Sequence, residues 1–216
     1  MTLLSDKLIF PPPEEADEDG VLCMGGDLGI ERLLLAYRSG IFPWYEGHIP
    51  IWWNPDPRFV LFPNELKVSK SMKQVLKRNN FTITCNKDFL RVVRNCQQAK
   101  RKEQDGTWIN EEVMYAYHEL YRLGYATSYE AWQNDELAGG FYGIKIGQVF
   151  FGESMFSKVS NASKAAFIIA LDEMKKQNIQ LIDCQVYTSH LQSLGARMIL
   201  RKDFLLLLKQ LIKPGN

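Results

Sequence analysis

Three stretches place polar or aromatic side chains where they could do chemistry. In Gly152-Glu153-Ser154-Met155-Phe156-Ser157 a carboxylate follows the apolar run Val149-Phe150-Phe151, and a carboxylate is costly to bury unless it is paired or used. In Leu181-Ile182-Asp183-Cys184-Gln185-Val186 strand alternation puts Asp183 and Gln185 on one face and Ile182, Cys184 and Val186 on the other. Such a pair is either a reacting constellation or a hydrogen-bonded network that fixes the fold. Tryptophan usually packs cores. Trp44 and Trp108, however, sit in the turn-rich contexts Phe42-Pro43-Trp44-Tyr45 and Asp105-Gly106-Thr107-Trp108. There a ring is readily presented to a ligand such as a nucleobase, where stacking contributes roughly 1–3 kcal/mol.

The elements that must hold these residues follow from periodicity and punctuation. Asp27 is a candidate N-cap for a helix of about three turns that carries Leu33, Leu34 and Tyr37 and ends at Gly40. Ser69 caps a helix to about Arg78 with Met72, Val75 and Leu76 inward. Phe81 to Cys85 reads as a strand, and Lys87 to Cys96 and Asn110 to Leu123 as helices. Strands follow at Ala126 to Gln133, Glu136 to Lys145 and Gln148 to Gly152, with turns at Asn134-Asp135 and Ile146-Gly147. Asn161-Ala162-Ser163-Lys164 opens a long helix to Lys176, and its backbone N–H groups serve either as an ordinary cap or as an anion site. A strand from Leu181 to Val186, a helix from about Ser189, and an apolar segment from Phe204 to Ile212, strand or helix, complete the chain. The pattern is α+β, and it suits an acetyltransferase-like fold whose mixed sheet splays to leave a cleft. A soft boundary near Arg58 divides a small N-terminal domain, 1–58, from the larger domain, 59–216.

Composition narrows the function classes. The 216 residues are 46% hydrophobic and 24% charged, ordinary for a globular protein. No apolar run approaches the ~20 residues of a membrane span and the start lacks a signal-peptide layout, so a cytosolic location is expected. Cys23, Cys85, Cys96 and Cys184, like His48, His118 and His190, are scattered, which indicates neither a zinc site nor a disulfide framework. Charge is unevenly spread. Lys67 to Lys102 holds eleven basic residues and one acid, a local +10 within a chain of net charge +1. Lys70, Lys73, Lys77 and Arg78 head this window. It is either a solvated face or a contact for a polyanion.

With these segments in place, the sequence resembles the leucyl/phenylalanyl-tRNA-protein transferase family. The matching motifs are Gly25-Gly26-Asp27-Leu28, Leu34-Leu35-Ala36-Tyr37 with Gly40-Ile41-Phe42-Pro43-Trp44, Trp52-Trp53-Asn54-Pro55-Asp56-Pro57-Arg58, Thr107-Trp108-Ile109, the Gly152 and Asn161 segments, and Leu181-Ile182-Asp183-Cys184-Gln185 with Ser193-Leu194-Gly195-Ala196. They span nearly the whole chain in order. The resemblance implies a GNAT-like domain that works without acetyl-CoA, and neither a metal nor a nucleotide cofactor is expected. It implies transfer of Leu or Phe, and more weakly Met, from aminoacyl-tRNA to proteins that begin with Arg or Lys, marking them for degradation. It implies that Asp183 and Gln185 activate the amine, that Glu153 lies at the reacting site, and that Trp44 and Trp108, with Ser154, hold the aminoacyl-adenosine. The family often has an arginine where this chain has Gln74.

An aminoacyl ester is already activated, so the enzyme must align an amine with the ester carbonyl and stabilise the developing oxyanion. The amide oxygen of Gln185 can accept from the amine while Asp183 orients the amide, and Asp183 or Glu153 can take the proton through water. Phe141, Phe150, Met155, Phe167 and Ile182 are candidates for an apolar side-chain pocket that admits Leu, Phe and Met. Lys70, Lys73, Lys77 and Arg78 are expected to meet the tRNA backbone. The chain is expected to act as a monomer. The competing readings are an acyl-CoA-dependent acetyltransferase, opposed by the lack of a glycine-rich pyrophosphate loop before Asn161, a non-catalytic RNA-binding module, and transfer of Leu to N-terminal Asp or Glu.

Overall fold

The computed structural model describes residues 2–99 and 108–213. Lys100, Arg101 and Lys102 of the basic window, and Asp105, Gly106 and Thr107 before Trp108, lie outside the described residues.

The chain begins with strand β1 (Thr2–Leu4), which pairs in parallel with β2 (Val21–Gly25). Helix α1 (Ile30–Arg38) follows, then β3 (Phe42–Pro43) and β4 (Ile51–Trp53), which complete a four-stranded sheet in the order β1-β2-β4-β3. Asp27 does not occupy the N-cap of α1. Gly29 does, while Asp27 accepts from the Gly29 N–H at 2.6 Å and pairs with Arg32 at 3.2 Å. Arg32 is fully buried and donates to the carbonyls of Lys7 and Ser5 at 3.1 and 3.2 Å. Its guanidinium thus ties the N-terminal segment to α1.

The second sheet opens with β5 (Arg58–Leu61) and continues, after helix α2 (Lys70–Lys77), with β6 (Thr82–Cys85). Helices α3 (Phe89–Gln98) and α4 (Glu111–Arg122) precede the meander β7 (Ala126–Gln133), β8 (Glu136–Ile146) and β9 (Val149–Ser157). Then come α5 (Ala162–Lys176), β10 (Leu181–Gln185), the one-turn α6 (Ser189–Gln192), β11 (Arg197–Ile199) and α7 (Arg201–Leu211). The order is β11-β5-β10-β9-β8-β7-β6, with β9 and β10 parallel and every other neighbour antiparallel. Helices α2, α3 and α4 start where side chains of Ser69, Asp88 and Asn110 accept from the N–H three residues on. The segment from Phe204 resolves as helix, since Phe204 and Leu208, one turn apart, are its buried positions.

Alternation along β8 and β9 sends side chains to two cores. Phe141 and Phe150 pack with Phe167 and Leu171 under α5, whereas Tyr142 and Phe151 pack with Val93, Tyr117 and Leu120 of α3 and α4. The second core runs on without a break into Leu33, Tyr37 and Trp52 of the first sheet's unit. Gly139 permits the start of α5 to lie against β8. A Cβ there would meet the Ala162 Cβ at 2.8 Å and the Ser163 nitrogen at 2.9 Å.

Candidate active site

The site arises where β9 and β10 part. They pair through Leu181–Val149, Ile182–Phe150 and Asp183–Phe151. Beyond that point β9 runs on to Ser157 beside β8, while β10 stays with β5 across an irregularity between Asp183 and Gln185. Gln185 adopts a left-handed conformation with φ of 63°, unfavourable for a residue with a Cβ by roughly 1–2 kcal/mol. Its backbone N–H is held at 2.9 Å by Asp183 Oδ1. The splayed mixed sheet expected from the sequence is present, and it leaves a cleft of about 710 Å³.

Asp183 is fully buried. Arg58 Nε and Nη2 donate to its two oxygens at 2.9 and 2.7 Å, and the guanidinium carbon lies 4.6 Å from the ring centres of both Phe42 and Phe204. Asp183 reaches Gln185 through the backbone hydrogen bond. The side-chain Nε2 of Gln185 donates to Glu153 Oε1 at 3.1 Å. The same Oε1 accepts from the Tyr37 hydroxyl at 2.8 Å, and Tyr117 pairs with Glu153 Oε2 at 3.0 Å. The hydroxyls of Tyr37 and Tyr117 are also hydrogen-bonded to each other.

Enclosure shifts these groups. Burial, above all, pushes the Glu153 carboxyl up to about 8, and the charge of Asp183 acts in the same direction, while the hydrogen bonds from Tyr37, Tyr117 and Gln185 oppose it. Burial and then the Glu153 charge hold both tyrosines well above their ordinary range. On α6, His190 is pushed down to about 4 by burial and by Lys164.

Of the residues expected from sequence, Glu153, Asp183, Gln185, Ser154, Trp44 and Trp108 all line this cleft, as do Phe141, Met155, Phe167 and Ile182. Phe150 is placed behind Phe141, edge-on at 6.0 Å and only 1% exposed, within the core under α5. Lys70, Lys73, Lys77 and Arg78 are exposed on and just after α2. That helix meets the start of α5 at a small hollow shared by Ser69, Met72, Asn161 and Lys164. Asn161 adopts a left-handed conformation and makes no side-chain cap. Sequence reasoning missed Tyr37, which read only as a position on an amphipathic helix, Tyr117, which drew no notice within its helix, and Arg58, which read as part of a boundary motif. Two inward tyrosines at helix positions facing a lone strand carboxylate were the available signal.

An apolar pocket beside an amide, a carboxyl and two tryptophans, set in a splayed mixed sheet, has the make-up of a group-transfer site. The family model for leucyl/phenylalanyl-tRNA protein transferase matches residues 60–209, and the model for that transferase's N-terminal domain matches residues 26–56. The leucyl/phenylalanyl-tRNA–protein transferase of Flavobacterium johnsoniae is 58% identical over 97% of this chain and 99% of its own length. That of Syntrophobacter fumaroxidans is 53% identical over 96% of this chain and 89% of its own. The overlap with one solved structure, L-PGS from Bacillus licheniformis, is shallow, with a TM-score of 0.42 and 14% identity over 80% of this chain and 57% of that one. The chain belongs to the leucyl/phenylalanyl-tRNA-protein transferase family. Among the described residues, no helix is long and apolar enough to cross a membrane.

Proposed function

We propose that this cleft transfers Leu or Phe, and more weakly Met, from aminoacyl-tRNA to the N-terminal Arg or Lys of acceptor proteins in the cytoplasm, marking them for degradation. The protein acts as a monomer, without metal or nucleotide cofactor, and its working division is a small domain of residues 1–58 and a catalytic domain of residues 59–216. The observation that carries this reading is the Glu153–Gln185 hydrogen bond at the splay. It engages the amide nitrogen of Gln185, which supports the reading that its oxygen accepts from an incoming amine.

In the reaction the amine nitrogen bonds to the ester carbonyl carbon. The bond from that carbon to the ribose oxygen then breaks, and one amine proton ends on the ribose oxygen. Gln185 orients the amine. Asp183, already gripped by Arg58, acts as a positioning residue that fixes the Gln185 backbone. Phe141, Met155, Phe167 and Ile182 receive the aminoacyl side chain, and rejection of β-branched Val and Ile rests on shape, within the ~1–3 kcal/mol that a methylene's worth of fit supplies. Trp44 and Trp108, with Ser154, receive the terminal adenosine. Lys70, Lys73, Lys77 and Arg78 meet acceptor-stem phosphates, beside the hollow that α2 shares with Asn161 and Lys164.

The test is transfer of labelled leucine from leucyl-tRNA, without CoA, to peptides that start with Arg, Lys, Asp or Glu. Transfer confined to the Arg and Lys peptides supports the reading. Transfer to Asp and Glu peptides, or none until an acyl-CoA is added, refutes it.

A further inference from the structure

The three hydroxyl and carboxyl groups of Tyr37, Tyr117 and Glu153 form a closed triangle. Its edges are Tyr37 to Glu153 Oε1, Tyr117 to Glu153 Oε2, and Tyr37 to Tyr117. Each edge needs one proton, and each tyrosine supplies one. If Glu153 were ionised, two protons would serve three edges, and one pair of oxygens would face each other with lone pairs only. A buried arrangement of that kind costs free energy on the scale of an unmade hydrogen bond. Gln185 Nε2 adds a donor to Oε1, which makes Oε1 the carbonyl end and Oε2 the hydroxyl end.

We infer that Glu153 is a neutral carboxylic acid in the resting protein, its proton held in a closed ring with Tyr37 and Tyr117, and that this ring sets the direction of the Gln185 amide. The ring runs from Glu153 Oε2–H to Tyr117, from Tyr117 to Tyr37, and from Tyr37 back to Oε1. Its members come from β9, α4 and α1, so the device exists only where the first sheet's helix packs onto the second sheet.

The functional meaning rests on the reading of the cleft as the transfer site. With Glu153 neutral and Asp183 neutralised by Arg58, the wall beside Gln185 carries no net negative charge. It does not stabilise the acceptor as an ammonium ion, and so favours the neutral, nucleophilic amine over the protonated form that prevails below about pH 8. Tyr37, Tyr117 and Glu153 are positioning residues in this account. The titratable and charged neighbours are those two tyrosines, Tyr142 of β8, Asp183 of β10 with its partner Arg58 of β5, and His190 of α6 on the same cleft. The upward direction of the Glu153 shift agrees with the proton count; its first cause is burial, and the tyrosine hydrogen bonds taken one by one act against it.

The test is infrared difference spectroscopy of the wild-type protein against Glu153→Gln. A protonated-carboxyl carbonyl band at neutral pH, fading as pH rises through about 8, is expected. Its absence overturns the inference, whatever the protein transfers. Tyr117→Phe, or Tyr37→Phe if the first does not fold, gives a second and opposite-signed readout. Opening the ring removes the unmatched edge and lets Glu153 ionise at lower pH. If the tyrosines merely donate to a carboxylate, the same change raises the titration point instead. In transfer assays Glu153→Gln, which reproduces the neutral ring with its own N–H, keeps about tenfold or more of the activity left in Glu153→Ala. Equal loss in both variants overturns the inference and leaves the transfer reading standing, whereas a wild-type chain that transfers nothing refutes that reading alone.

Discussion

Arg58 and Asp183 stand 125 residues apart in sequence and form a two-point ion pair with both side chains completely buried. Strand β5 supplies the arginine and β10 the aspartate, so the pair clamps the strand that turns away from β9 to open the cleft. Removing one member strands the other's charge, a loss of about 3–5 kcal/mol. Arg58→Lys also forfeits the fork. Asp183→Asn therefore lowers stability in urea melts by about 3 kcal/mol and slows transfer about tenfold or more. An Arg58→Met, Asp183→Leu double variant recovers stability, because it removes both charges, but not transfer. Full recovery of transfer would show that the pair only supports the fold.

Glu153 makes stability depend on pH with a definite sign. Its carboxyl titrates near 8 when folded against 4.5 in the open chain, so the folded protein binds the extra proton between those values. Its contribution is fully present below about pH 4.5 and is lost as pH climbs through about 8. Glu153→Gln lacks that slope. The stability gained by the variant over wild type thus widens by about 2–4 kcal/mol between mildly acidic and mildly alkaline buffer, with partial solvent access to the cleft setting the lower end. A pH-independent gap would contradict the assignment.

The two cleft tryptophans differ in what they support. Trp108 is 5% exposed and stands edge-on to Tyr117 at 6.2 Å, so Trp108→Ala loses about 3 kcal/mol or more of stability along with the site. Trp44 is only half-buried, 5.4 Å from Trp53. Trp44→Ala folds and binds aminoacyl-adenosine more weakly by about 1–3 kcal/mol. Calorimetric titration together with a thermal melt separates the cases, and unchanged binding in Trp44→Ala would assign that ring to packing.

On α2 and at its end, replacing Lys70, Lys73, Lys77 and Arg78 raises the apparent KM for full-length aminoacyl-tRNA and flattens its salt dependence, by about one log–log unit for each phosphate no longer neutralised. Aminoacyl-adenosine, which lacks the acceptor-stem phosphates, reacts as before. Single changes cost under about 1.5 kcal/mol each, so the combined variant gives the clear result. Equal damage to both donors would place these charges in the fold or the cleft.

Local rules made much of the architecture legible. Ser69 is a cap in sequence and in structure because capping is settled within three residues, while Asp88 and Asn110, which the sequence reading placed within their helices, are the caps that start them. Strand β9 runs past Gly152 because Ser154 and Met155 pair with Tyr142 and Phe141, and a polar stretch facing a cleft reads as a loop when its ladder partner is unknown. β5 and β11 are too short to show a period. The Arg58–Asp183 pair and the tyrosine ring depend on partners far apart in sequence, which no window along the chain brings together. The sequence singled out Gln185, which lines the cleft, but not its left-handed backbone, since that conformation is imposed by Asp183 and the departure of β10 from β9.

In the proposed reaction the Gln185 amide, held by Glu153, receives the attacking amine at the splay between β9 and β10. Single-turnover transfer from preformed leucyl-tRNA to an Arg-starting peptide, on wild type and Gln185→Ala, tests it most directly. The chemical step in Gln185→Ala is expected to slow about tenfold or more, with the tRNA dissociation constant unchanged. A full-rate chemical step in Gln185→Ala, or a loss of tRNA binding that matches the loss of rate, would contradict it.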